Sequence, residues 1–285
     1  MSAPFRCLIC RGGEGELVHE RCPDYYLGTA FKVDYARCRA CGLLQQSPVP
    51  KDVSPFYHAY PVHARKSRLY AALRWLVMSP LYYDARRHAA GSALLDYGCG
   101  DGGYLEAIAG RGFRLQGYEN DAAQAARVAE RLDVPVHSDI KVLLACHAGT
   151  FDAVTLHMVL EHLTDPDGAL AAVRHLLKPG GILYVVVPHI DSIEARIFGR
   201  RWHNLDPPRH ISLPTVAHLR RLADRHGYAL VRHAPVSFPN GFAASVPVVL
   251  SGRFRFPLFA LAFPLGVVWS RLVPTGSHAY WLARQ

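Results

Sequence analysis

Lysine is scarce in this chain, and no block of like charge occurs in it. The excess of positive charge, +9 with histidine neutral, comes mostly from arginine spread over 285 residues. Without Lys-rich stretches or stacking-aromatic motifs, a nucleic-acid footprint is not expected. No N-terminal stretch joins a charged start, an apolar run and a small-residue cleavage site, so neither export nor disulfide-forming conditions are expected. The cytoplasm is the expected location. Hydrophobic residues are plentiful at half of the sequence, enough for one sizeable core and a small extra module.

Four of the seven cysteines form a pattern: Cys7 and Cys10 in CLIC, then Cys38 and Cys41 in CRAC, followed by Gly42. Each CxxC can fold as a tight turn that aims two thiolates at one point, and two such knuckles complete a tetrahedral shell for zinc. Four protein ligands leave no open coordination position. The expected metal is therefore structural, giving folding energy to a segment too small for a core of its own. Residues 1–47 are read as this zinc-ribbon-like module. Beyond Ser47, the prolines Pro48, Pro50, Pro55 and Pro61 give way to an Arg- and Tyr-rich stretch containing LYAALRWLV. Residues 48–92 read as a helical linker, serving either as a lid or as a dock for the front module.

The segment ALLDYGCGDGGYLEAIAG starts as an apolar strand at Ala93, bends through glycines and enters a helical pattern, the opening of a Rossmann-like nucleotide-binding α/β domain. Gly98, Gly100 and Gly103 satisfy G-x-G-x-x-G, with Gly102 inside the same bend, and Glu119, beside Asn120, ends the next apolar strand where a ribose-binding carboxylate belongs. That much fits a nicotinamide dinucleotide equally well. Asp96, at the end of the first strand, favours a cationic ligand without a pyrophosphate. Asp139 and Ile140 follow a third short strand, Val134 to His137, where a carboxylate can accept an adenine amino group and an apolar neighbour can cover the ring. A further strand, Phe151 to Leu156, precedes His157, and a helix of period 3.6 runs to Lys178, Pro179 and Gly180 before another apolar strand.

In order and spacing, DYGCGDG, the Glu119 position, the SD step, FDAV with LEHL, and LKPGG resemble the successive motifs of class I S-adenosylmethionine-dependent methyltransferases. The resemblance covers roughly Ala93 to Pro188. It implies a seven-stranded sheet with helices on both faces and the last strand antiparallel. The cofactor would lie across the carboxyl ends of the first strands, held by Asp96, Gly98, Gly100, Gly102, Glu119, Asn120, Asp139, Ile140 and His157. Leu230 to Pro235 and SHAYWLARQ supply the last two strands, and residues 93–285 make up the domain.

Methyl transfer is an in-line displacement that needs alignment, plus a base where the acceptor carries a proton. Histidine suits that base near neutral pH. His157, His162, His189 and His210 stand out by position among sixteen. His162, in LEHL, is the first choice. It resembles the Glu-His pair of ubiquinone-type O-methyltransferases, in which an acidic residue three positions earlier helps hold a metal. Here that position is Met158, which places a magnesium-assisted mechanism in doubt; the alternative role of Glu161 and His162 is to hold a helix N-terminal turn by side-chain hydrogen bonds. His210 is the second choice, from a Pro-rich loop with Trp202, His203 and Asp206. Similar WxxxDPPRH loops occur in methyltransferases of sugar, polysaccharide and lipid pathways.

An insertion at about 241–276 holds VPVVL and FRFPLFALAFPLGVVW, too short and proline-broken to span a bilayer. It reads either as a lid or dimer surface or, with Arg253, Arg255 and Arg271 bracketing its aromatics, as a peripheral membrane contact at the inner face. The paired knuckles in front of this fold also resemble the front end of sugar C-methyltransferases. The reading is a methyltransferase acting on a small-molecule or lipid-linked acceptor, a sugar or secondary metabolite. Its alternatives are an RNA methyltransferase and a non-catalytic zinc-ribbon protein that only holds cofactor.

Overall fold

The computed structural model describes residues 4–57, 83, 86–236, 238–273 and 276–285. The stretch LYAALRWLV, and with it most of the expected linker, lies outside the described residues. Near the N-terminus, Gly15–Pro23 (β1), Lys32–Cys38 (β2) and Leu44–Gln46 (β3) form an antiparallel sheet.

The larger sheet begins at Ala93–Tyr97 (β4), whose five residues are all buried, as befits a strand covered on both faces. It continues with Arg114–Tyr118 (β5), Val136–His137 (β6), Phe151–His157 (β7) and Leu177–Pro188 (β8). A short strand, Ser212–Leu213 (β9), leaves this sheet and pairs with β3. Tyr228–Val236 (β10) and Ser277–Arg284 (β11) complete the large sheet. Its seven strands run β10-β11-β8-β7-β4-β5-β6, and β11 is antiparallel to both neighbours. The connecting helices are Gly103–Ile108 (α1), Ala122–Leu132 (α2), Ile140–Cys146 (α3), Pro166–Leu176 (α4), Ile193–Phe198 (α5) and Val216–Arg225 (α6).

Side chains alternate across the strands, as a pleated sheet requires. Leu95, Val154 and Leu183 face one core with Leu143, Leu170 and Leu219 of α3, α4 and α6, while Leu94, Ala153 and Ile182 face another with Leu105 and Val128 of α1 and α2. The first core also takes in Cys7, Ile9 and Leu43. The front module is thus packed on the large sheet rather than tethered to it.

Several boundaries differ from the sequence reading, among them those of β6, β7 and β10 by one or two residues. The third strand starts at Val136, not Val134, because Pro135 has no amide to give the ladder; its carbonyl still accepts from Gly117 N at 2.9 Å. Helix α4 ends at Leu176, and Leu177 already pairs with Phe151 as strand, so KPGG lies within β8. The insertion folds as two packed helices, Asn240–Ser251 (α7) and Phe256–Leu272 (α8), each with an internal proline. Among the described residues no helix is long and apolar enough to cross a membrane.

Candidate functional site

The adjacent strands β7-β4-β5-β6 bring their carboxyl ends to one edge. His157 ends β7, Asp96 lies in β4, Glu119 follows β5 and Asp139 follows β6. Asp96 is buried and accepts a hydrogen bond from Thr155 Oγ1 at 2.7 Å. Gly98, Gly100 and Gly102 bend the chain with φ of +78°, +54° and +71°, a left-handed run that side chains disfavour. A Cβ on Gly98 would come within 2.8 Å of Val159, and one on Gly102 within 2.5 Å of Val128, but one on Gly100 would meet nothing within 4 Å. The peptide at Gly100 therefore borders open space, the cradle a ligand needs.

Glu119 ties that bend to the end of β5: its carboxylate accepts from Gly100 N at 3.0 Å and from Asp121 N at 3.1 Å. Asn120 beside it is exposed. Asp139 caps α3, accepting from Lys141 N at 2.7 Å, with Ile140 as the first helical residue. The His157 ring lies between Tyr104 and Tyr184 at 4.1 and 5.2 Å, and its nitrogens have no hydrogen-bond partner among the described residues. Burial pushes it down to about 3, so it is a neutral imidazole.

A second cluster lies next to this edge. After β7 the chain makes a 3-10 turn, Leu160–His162, without a side-chain cap. Glu161 does not cap the turn, and its two carboxylate oxygens are buried without a partner among the described residues. Burial pushes Glu161 up to about 8. His162 Nδ1 lies 3.0 Å from the Arg209 carbonyl and 2.8 Å from Tyr57 Oη, and His210 Nδ1 lies 2.7 Å from the Asn204 carbonyl. A carbonyl can only accept, so both Nδ1 atoms carry protons; among the described residues neither Nε2 has a hydrogen-bond partner, and that of His210 lies 3.9 Å from Glu161 Oε1. The imidazoles meet edge to face at 4.5 Å, and one ligand atom from each of Glu161, His162 and His210 falls within 4.8 Å of the others. Burial and the neighbouring His162 push His210 down to about 3. His189 stands apart, stacked on His278 at 4.1 Å.

The front module builds the loop that carries His210. Strand β9 pairs with β3, Tyr35 Oη donates to the carbonyls of Leu205 and His210, and Gln46 Nε2 donates to those of Pro208 and His210. Arg209, fully buried, is held by Asp24 of the front module at 2.9 Å and by Asp206 of its own loop at 2.7 Å. Burial alone would raise Asp24, but hydrogen bonds from Arg209 and Leu27 and the guanidinium charge hold it below the usual carboxylate range. Of these residues the sequence reading names Asp206 and His210, but not Asp24, Tyr35, Gln46 or Arg209. In the same module Cys7, Cys10, Cys38 and Cys41 place their sulfurs within 4.8 Å of one another. Cys10 N–H and Gly12 N–H point at the sulfurs of Cys7 and Cys10 at 3.4 Å each, the donors a thiolate cluster needs.

This strand order, with one antiparallel strand, a glycine bend and acidic residues along the carboxyl edge, defines the class: Rossmann-like S-adenosylmethionine-dependent methyltransferases. A family model described as a methyltransferase domain, Methyltransf_23, matches residues 69–233, more than half of the chain. The chain belongs to that family. It is similar to a ubiquinone biosynthesis O-methyltransferase of Xanthomonas axonopodis pv. citri, 39% identical over 111 residues, covering 36% of this chain and 46% of that protein. The chain thus spans about half the length of the curated relatives it matches. Its fold is that of a SAM-dependent methyltransferase structure from Archaeoglobus fulgidus, with TM-score 0.51 and 17% identity over 74% of this chain and 94% of that one. The PH0226 protein of Pyrococcus horikoshii OT3 matches with TM-score 0.54 and 14% identity over 81% and 99%.

Proposed function

We propose that the chain transfers a methyl group from S-adenosylmethionine to a proton-bearing small-molecule or lipid-linked acceptor, a sugar or secondary metabolite. The observation that carries this reading is the pairing of the Asp96–Glu119 cradle with the His162 imidazole just past the end of β7 and the His210 imidazole packed against it. When bound, the cofactor supplies a methyl already activated by positive sulfur. Asp96 and Glu119 supply negative charge for that cation, the bend at Gly100 lets backbone approach it, and Asp139 and Ile140 border the adenine side. His162 takes the acceptor's proton through Nε2, its Nδ1 being committed to the Arg209 carbonyl. His210 and Glu161 stand behind it as polar support. Proton removal of this kind contributes about a hundredfold to ten-thousandfold in rate. The curated relatives named as ubiquinone biosynthesis O-methyltransferases make a hydroxyl the first acceptor group to test.

A magnesium ion does not fit this cluster, because one carboxylate and two imidazoles replace the oxygen-rich set that ion needs, and Met158 adds no ligand. The same donor set suits a borderline divalent cation such as zinc, which is the second reading. At the front, the four cysteines fit a closed structural zinc site.

Calorimetry with S-adenosylmethionine, followed by a labelled-methyl screen over metabolite, lipid and RNA fractions, tests the proposal. The variant His162→Asn is expected to keep cofactor affinity and to lose about a hundredfold or more in transfer rate. Unchanged transfer in that variant would remove His162 from the chemistry. Tight cofactor binding with no labelled product in any fraction would favour a non-catalytic cofactor-binding protein, and product in the RNA fraction alone would replace the acceptor class. Loss of activity on chelation, restored by zinc, in the variant Cys38→Ser would support the second reading.

A further inference from the structure

Helix α8 is apolar all round up to Ser270 and Arg271 in its last turn. Its inner side, Ala262 and Gly266, is buried, and a Cβ on Gly266 would press within 3.0 Å of Ala243 on α7. Its outer side is uncovered: Phe256, Leu261, Leu265, Val268 and Leu272, with Leu250 at the end of α7, are each between 55% and 78% exposed. The spacing of Leu261, Leu265, Val268 and Leu272 places them on one face of a 17-residue helix about 25 Å long. Ordinary surface helices carry polar residues there, and a contiguous patch of this kind marks a contact.

Charge decides among occupants. From His226 to the last residue the sequence contains no Asp or Glu, while exposed Arg253 and Arg255 lie at the N-terminal end of α8 and exposed Arg271 at its C-terminal end. A two-fold contact between copies of α8 running antiparallel would set Arg271 of one beside Arg253 and Arg255 of the other, with no acid in the segment to offset them. An anionic bilayer offers what the face lacks: acyl chains for the leucines and headgroup phosphates for the arginines. The helix is too short to cross the roughly 30 Å hydrocarbon layer, so it lies in the interface.

We propose that the outer face of α8 docks this protein on an anionic lipid surface. The docking rests on that face alone. It has a further consequence, which does rest on the methyltransferase reading. Helix α7 packs on the turn His203–Leu205, where Ser245 Oγ accepts from His203 N at 2.8 Å, so the helix pair that presents the docked face is anchored on the loop carrying His210. A lipid-linked acceptor can keep its tail in the bilayer while its head enters the site.

Co-sedimentation of the full chain with vesicles of equimolar phosphatidylcholine and phosphatidylglycerol, and with phosphatidylcholine alone, tests the docking. Binding is expected on the anionic vesicles, weakened about tenfold or more in Leu261→Glu/Leu265→Glu and by ~fivefold per charge in Arg253→Gln/Arg255→Gln. Cofactor affinity should be unchanged in both variants, which shows that they fold. No excess partition onto anionic vesicles by the unmodified chain would overturn the proposal. So would a dimer in sedimentation velocity that dissolves in Leu261→Glu/Leu265→Glu, because the face would then belong to a second copy. Docking without methyl transfer in any fraction would leave the lipid contact standing and refute only the enzymatic reading.

Discussion

Arg209 shows what a single residue contributes here. Its guanidinium, with no exposed surface, is neutralised from both sides by Asp24 and Asp206, and removing one partner of such a pair leaves an uncompensated charge in low dielectric. Asp24→Asn should therefore lower unfolding free energy by about 3–5 kcal/mol, read from the denaturant midpoint at unchanged slope. Arg209→Lys should cost nearly as much, since an ammonium cannot reproduce the fork that serves two carboxylates. The same pair sets an acid limit. Burial raises both aspartates, but the Arg209 hydrogen bonds and charge outweigh it and hold both below their ordinary value. A depressed folded-state value stabilises in full above the unfolded carboxylate pKa of about 3.9 and is lost as pH falls through the folded values. The unmodified chain should lose stability steeply below about pH 4. Asp24→Asn should be less stable at neutral pH yet show a shallower acid slope, and an identical slope in the two proteins would contradict this role for the pair.

At the level of elements, the loop between α5 and α6 takes its shape from a module far away in the sequence. Tyr35, Gln46 and strand β3 hold its carbonyls and its short strand, so unfolding the cysteine knuckles should release His210 while leaving the β4–α1 bend intact. Cys38→Ser is expected to lose bound zinc, to lose about tenfold or more in methyl transfer and to keep cofactor affinity. A fall in cofactor affinity equal to the fall in transfer would mean that the module supports the whole sheet. This dependence could not be read in advance. Asp24 and Arg209 are 185 residues apart, and no local period links them. What could be read was local: the buried run ALLDY before a glycine bend, the acidic residue ending each short strand, and the paired CxxC spacing all reflect constraints within a few residues. Strand β6 proved shorter than its apolar residues suggested because proline withholds a donor. The insertion was legible as apolar, but two helices without a polar face give no 3.6-residue alternation to mark them as helical.

Over the whole molecule, two sheets share one core, and three surfaces with different chemistry lie around the carboxyl edge: the cradle, the histidine cluster and the uncovered face of α8. Their order suits a reaction in which a water-soluble donor meets an acceptor arriving from elsewhere, but all of it depends on what the cradle holds. The most direct test is isothermal titration of the full chain with S-adenosylmethionine and, separately, with a nicotinamide dinucleotide. Saturable binding of S-adenosylmethionine is expected, weakened about tenfold or more in Asp96→Asn and in Glu119→Gln by loss of charge facing a cation, with no heat from the dinucleotide. Saturable binding of the dinucleotide, together with indifference to S-adenosylmethionine, would contradict the account.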